Sequence, residues 1–428
     1  MKPSPSKRYA SSIVLIAVII AAALSLYGLF ILNRSLVEKY HVSETFLNYW
    51  VGNRDLLEKG DSPYSLGVES EINQTYQSLS GQLPDPENQV VYPLYFGIPF
   101  LPFTLIQDPA LAQSIWMLFL EIALILTVIL NLRVSEWHIS AWMLPLFVIF
   151  SAGWFFTVLP VLEGQAILLC GLLVALAFAA VRAGLDELAG LALALATITP
   201  FAVLFLIVFV VFWSAIQGHW RLFFWFFGSL LLLILGGMLF VPAWPVQFFQ
   251  KVQVFTAGFT RLMPGAAFLS WWPGIGLRLG WFILAVLGLA MLIEWWLAWN
   301  LRNFEHFLWT GMLTLTIGQV AGLGASFDNL FILLLPVTLI FSGLSARWKS
   351  AGQAVVVVVM GILFAVPWWL VMPLSSLGLP AAARYAFQVG LSFLVIFGLY
   401  WVRWWFIRPK RLLINDLRDL ESRPHFFR

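Results

Sequence analysis

Apolar runs separated by short polar connectors extend through almost the whole chain, and most are too long for anything but a membrane helix. The first, Ser12–Leu32, follows Lys2, Lys7 and Arg8. It has about the length that a helix rising about 1.5 Å per residue needs to cross about 30 Å of hydrocarbon. Further runs fall near Leu111–Leu132, Ile139–Leu162, Ala166–Val181, Leu188–Thr199, Phe201–Ala215, Phe223–Phe240, Leu279–Trp299, Phe307–Leu323, Leu330–Leu344, Ala354–Val371 and Ala386–Phe406. The pattern predicts an all-α, polytopic bundle of about twelve transmembrane helices.

One stretch decides the orientation. Val90–Ile106 is apolar but interrupted by Pro93, Pro99 and Pro102. If it does not cross, Arg133, Arg182, Arg221, Arg302, Arg347, Lys349 and the basic tail all share a side with the N-terminus, as cationic cytoplasmic loops require. If it crosses, all of them lie outside. We therefore read Val90–Ile106 as a proline-broken segment at the outer interface, where freed backbone groups still find partners. The first span is read as retained, with both termini cytoplasmic in a plasma membrane.

Composition adds to this picture without changing it. Of 428 residues, 61% are hydrophobic and 11% charged, with mean hydropathy +0.89. More apolar surface is present than a water-soluble core can hide, so lipid must solvate part of it. The net charge of +3 supports no nucleic-acid reading, because the placement of Lys and Arg matters here more than their sum. Cys170, the only cysteine, reads as a small buried hydrophobe. The tail 407–428 has basic residues with Leu413, Leu417 and Leu420 at helical spacing, the pattern of an amphipathic segment on the inner leaflet. Residues 1–406 form one transmembrane unit.

Two large outer loops result, 33–110 and 241–278, with outer turns at Glu163-Gly164-Gln165, around Thr199-Pro200, at Ser326-Phe327-Asp328 and near Ser375–Arg384. Helical spacing after His41 sets His41, Glu44 and Asn48 on one stripe and Thr45 beside Tyr49. Gly60-Asp61-Ser62-Pro63-Tyr64 closes that helix, and the polar stretch from Leu66 to Gln89 reads as a surface excursion.

Tyr49-Trp50, Leu56-Leu57, Gly60, Pro63-Tyr64, Tyr92-Pro93-Leu94, Gly164-Gln165, Thr199-Pro200 and Ser326-Phe327-Asp328-Asn329 with Pro336 occur in an order that resembles glycosyltransferase family 87 of the multispanning GT-C superfamily. The resemblance implies transfer of a sugar, a mannose-like hexose or a pentose, from a polyprenyl-phosphate donor to a lipid or glycan acceptor at the extracytoplasmic face. It also implies a first outer loop that carries the catalytic acid and juxtamembrane helices. Thr45 stands where the family pattern has Asp, and Thr199 where it has Lys.

Direct displacement at an anomeric carbon needs a group to take the acceptor proton and donors or cations for the departing phosphate. Glu44, beside Thr45, is the substitute base, and Glu163 is the second catalytic candidate. Gln165 offers a donor and an acceptor to sugar hydroxyls, and Tyr92 and Asp328 complete the substrate set with His41, Asn48 and Tyr49. Arg261 is the candidate phosphate ligand among Arg54, Lys59, Lys251, Arg261 and Arg278, and Trp271 and Trp272 offer faces for stacking. Glu163 and Asp328 also fit structural roles at helix ends. No Asp-x-Asp pair or histidine spacing points to a metal, so neither a metal nor another cofactor is expected. Two rivals stay open. Glu121 and Glu294 within spans would suit an ion-coupled transporter or flippase, and Thr45 and Thr199 would suit a non-catalytic polyprenyl-lipid-binding relative. Nothing in the pattern fixes an oligomeric state.

Overall fold

The computed structural model describes residues 5–83, 92–257, 272–301, 303–321, 327–376 and 381–407. Among them the regular structure is helical, without strands. Helix α1 (Pro5–Tyr40) leads into α2 (Glu44–Glu58) and α3 (Leu66–Ser80), and then into a 3-10 turn (Leu94–Phe96) continued by α4 (Gly97–Thr104). The bundle continues with α5 (Pro109–Val134), α6 (Met143–Gly153), α7 (Phe155–Glu163), α8 (Ile167–Arg182), α9 (Asp186–Ala196), α10 (Pro200–Gln217) and α11 (Trp220–Phe240). After α12 (Trp244–Ala257) come α13 (Gly276–Asn300), α14 (Phe304–Ala321), a 3-10 turn (Phe327–Leu333), α15 (Leu334–Ser376) and α16 (Ala381–Ile407).

Among the described residues, 7 helices are long and apolar enough to cross a membrane, or 8 if the bent pair α6–α7 is one span. The expected Ile139–Leu162 span is therefore two helices bent by 45°. The bend sits at Trp154, whose backbone is extended (φ −62, ψ 134). Its carbonyl neighbour at Gly153 accepts from Trp368 Nε1 at 2.9 Å, which replaces a helical bond lost at the break. Helix α15 changes course at Lys349 (φ 48, ψ −119). Phe341 packs on Phe150 before that break, and Phe364 meets Gly153 after it. Outward-facing Phe224, Leu232, Leu239, Trp281 and Phe282 are exposed, a surface that hydrocarbon satisfies and water does not.

Val90–Ile106 yields only the short apolar helix Leu94–Thr104. It packs on α2 and α5. The polar excursion after Leu66 contains an ordered helix, α3, started by Ser65, whose Oγ accepts from Val68 N at 3.3 Å, and ended by left-handed Gly81 (φ 69). The second large loop begins with α12, which docks on the first. Ser62 Oγ meets Gln247 Oε1 at 2.6 Å, and Lys251 Nζ lies 2.6 Å from Glu69 Oε2.

Contacts sort the connectors into two ends. At one, Arg182 donates to Val134 O at 2.5 Å and pairs with Glu136. There too His219 Nδ1 lies 3.1 Å from Asp186, Gln217 donates to Trp299 O, and Arg347 stacks on Trp405. The other end carries the two large loops and the Glu163–Gln165 turn. Helices α1 and α5 run antiparallel, since Ser43, just past α1, meets Gln113 near the start of α5, whereas Asn33 meets Glu121 farther along. The tail 408–428 lies outside the described residues.

Candidate functional site

Gln113 is the centre of the site's construction. It is buried in α5 (1% exposed). Its Oε1 accepts from Ser43 N at 2.9 Å, and its Nε2 donates to Leu162 O at 2.8 Å. Ser43 is the N-cap of α2 and Leu162 lies in the last turn of α7. One amide side chain thus holds the start of the first-loop helix beside the end of α7, and the residues that follow, Glu44 and Glu163, share one corner.

Gly164 closes that corner. It is left-handed (φ 69), and a Cβ there would stand 3.2 Å from both Phe46 Cβ and Trp116 Cδ1. Trp116 Nε1 donates to its carbonyl at 2.7 Å. This conformation and closeness require glycine. Gln165, turned back by the bend, donates through Nε2 to Glu163 Oε2 at 2.6 Å. Glu163 ends its helix, where the aligned backbone dipoles present negative charge, so this carboxylate is placed against local stability. Glu44, in the first turn of α2, has the favourable end of its own helix. Both carboxylates and Gln165 are half-buried.

A layer of aromatic residues supports this corner. Phe100 and Phe103 pack edge-on to Trp116, each with centroids 4.9 Å apart, and Tyr49 meets Tyr92 and Phe96 at 5.0 and 4.8 Å. Tyr92 is buried and donates to Asn48 O at 3.1 Å, so Tyr92, Asn48 and Tyr49 belong to the packed wall under the site. Tyr95 reaches the turn before Thr199, with its hydroxyl 2.6 Å from Thr197 Oγ1. The Leu94–Thr104 segment therefore links Trp116, which holds the Gly164 carbonyl, to the Thr197–Pro200 turn. The 3-10 turn Phe327–Leu333, which carries Asp328, packs against α7 and α8.

Other predicted residues lie elsewhere. Helix α2 starts at Glu44, so His41 does not share its stripe. His41 is exposed in the preceding turn with φ 66. Trp272 is 61% exposed. Arg261 and Trp271 lie outside the described residues. Three of the candidate phosphate ligands are engaged by carboxylates: Arg54 by Glu58 at 2.8 Å, Lys59 by Asp55 at 3.0 Å and Glu71 at 2.5 Å, and Lys251 by Glu69. Arg278 is exposed in the first turn of α13. Among the described residues no three of His, Cys, Asp and Glu gather as metal ligands.

The sequence reading missed Gln113, Trp116 and Tyr95. A glutamine in an otherwise apolar run was the available signal, because a polar side chain at such a position must find a partner inside the protein. The two carboxylates that suggested transport are both partnered. Glu121 accepts from Asn33 Nδ2 at 3.2 Å. Glu294 pairs with Arg403 at 2.8 Å, with His306 Nε2 3.6 Å away.

The helical bundle and, among the described residues, its seven apolar helices long enough to cross a membrane define a membrane protein, and a comparison with known families supplies its class. Residues 91–321 match glycosyltransferase family 87, and the chain belongs to that family. No curated protein and no solved structure matches it.

Proposed function

We propose that this chain transfers a sugar from a polyprenyl-phosphate donor to a lipid or glycan acceptor at the extracytoplasmic face of the plasma membrane, by direct displacement with inversion. The Gln113 tie supports this reading, because it joins the start of α2, where Glu44 stands, to the end of α7, where Glu163 stands. In this mechanism Glu44 takes the proton from the acceptor hydroxyl as its oxygen attacks the anomeric carbon, and the polyprenyl phosphate departs with the bonding electrons. Glu163 and Gln165 hold sugar hydroxyls, with Asp328 on the neighbouring turn. Arg261, Arg278, Trp271 and Trp272, from the second large loop, meet the donor. The proposed layout is GT-C-like, with about twelve crossings and both termini cytoplasmic.

Transfer of radiolabelled sugar in proteoliposomes tests it. Glu44→Gln is expected to lower kcat by at least about a hundredfold, the low end of what a positioned general base contributes, and Glu163→Gln to lower kcat/KM by about tenfold or more. Unchanged transfer in both variants rejects these roles. Absence of transfer with every polyprenyl-phosphate donor, together with retained polyprenyl-lipid binding, would favour a non-catalytic relative, and substrate-driven ion flux would favour a transporter.

A further inference from the structure

A second polar feature lies apart from the corner just described. A crevice of about 410 Å³ opens between α2 and α3, and none of Glu44, Glu163 and Gln165 lines it. Its size falls within the range of small-molecule sites.

The lining is specific in its chemistry. Leu79 and Pro109 supply apolar surface, Trp50 lies beneath the Arg54 guanidinium at 5.0 Å, and Thr75 and Ser78 supply hydroxyls. Lys59 stands between Asp55 and Glu71, 3.0 and 2.5 Å from their oxygens. Asp55 is 4% exposed. Burial, the largest influence on it, raises its pKa above the usual value, whereas the hydrogen bond from Lys59 lowers that of Glu71. Arg54 pairs with Glu58 at 2.8 Å. Both cations are thus already matched by carboxylates, which leaves the crevice no spare positive charge. A phosphate finds no unmatched cation there. A neutral ligand bearing many hydroxyls finds donors and acceptors in alternation, with apolar walls for its C–H faces.

Position adds the second argument. Trp50 is six residues beyond Glu44 on α2 and Asp55 eleven, roughly 9 and 16 Å along the axis at about 1.5 Å per residue. A chain of sugar units whose terminal hydroxyl lies at Glu44 would reach the crevice within a few units. We infer that the α2–α3 crevice binds the saccharide portion of the acceptor, which makes the acceptor a glycan chain. This rests on the sugar-transfer reading above, and it assigns the glycan to one of the two acceptor classes left open there.

The test uses the full chain in lipid nanodiscs with Thr75→Phe and Ser78→Phe. Thr75 is half-buried and Ser78 exposed on α3, so a phenyl ring there fills the crevice without displacing core, and thermal unfolding checks that the fold is kept. Calorimetric titration with neutral mannose and arabinose trisaccharides is expected to show binding to the wild type that weakens at least tenfold in both variants, and titration with inorganic phosphate to show no binding that either ring alters. In the transfer assay the acceptor KM is expected to rise at least tenfold while the donor KM is unchanged. Failure of every trisaccharide to bind, phosphate binding that the ring blocks, or an acceptor KM insensitive to both variants overturns the inference. Trisaccharide binding that the ring blocks, without transfer by any form of the protein, would reject the transfer reading and leave the saccharide site in place. Intact transfer with an unaltered acceptor KM would do the opposite.

Discussion

Gly164 fixes the shape of the site more than either carboxylate does. Left-handed backbone costs an L-residue roughly 1–2 kcal/mol, and a methyl group here would also press on Phe46 and Trp116, each 3.2 Å away. Gly164→Ala should therefore destabilise the protein by at least about 1–2 kcal/mol and reduce transfer at least about tenfold, since small displacements of positioned groups are costly in rate. Thermal unfolding and single-turnover kinetics measure the two effects. The Glu163-Gly164-Gln165 turn could be read directly, as a polar interruption between two apolar runs. Its packing partners could not, because a phenylalanine or tryptophan within an apolar pattern fits a lipid-facing and a buried position equally well. The His41 reading failed for a related reason. Spacing places residues on one face only once the helix has begun, and this helix begins at Glu44.

Between elements, the decisive link is the pair of hydrogen bonds from Gln113 to α2 and α7. Replacing it by leucine removes these partners from the half-buried Ser43 N–H and Leu162 carbonyl, at up to about 1–3 kcal/mol for each group. Gln113→Leu is expected to lower the melting temperature and to reduce kcat with little change in donor KM, as measured by unfolding and initial rates. The sequence made the long apolar elements legible, together with the proline-broken Leu94–Thr104 segment. It did not show that Ile139–Leu162 bends, because the compensating partners, Trp368 and Leu363, lie about two hundred positions later. Helix α3 was read as a polar excursion, although Ser65 and Gly81 carry the start and stop signals of a helix.

Across the whole molecule, the connectors that hold Arg182 and Arg347 and the turns that carry Glu44 and Glu163 occupy opposite ends of one bundle. The buried Glu294, paired with the half-buried Arg403 and with His306 alongside, joins α13, α14 and α16, so a charge that suggested ion coupling serves as a tie between helices. Because a partner cannot be inferred from a lone charge in a span, this assignment was not available from the sequence. The proposed layout is vectorial: in it the corner built by Gln113 faces out of the cell and the arginine-bearing end faces in. Cys170 is buried, so a Cys170→Ala background permits single cysteines to be placed at two exposed positions, Asp61 in the first loop and Ser350 beside the break in α15. In intact cells, a membrane-impermeant maleimide should label Asp61→Cys immediately and Ser350→Cys only after permeabilisation. Labelling of Ser350→Cys from outside, with Asp61→Cys protected until the membrane is opened, would contradict the account.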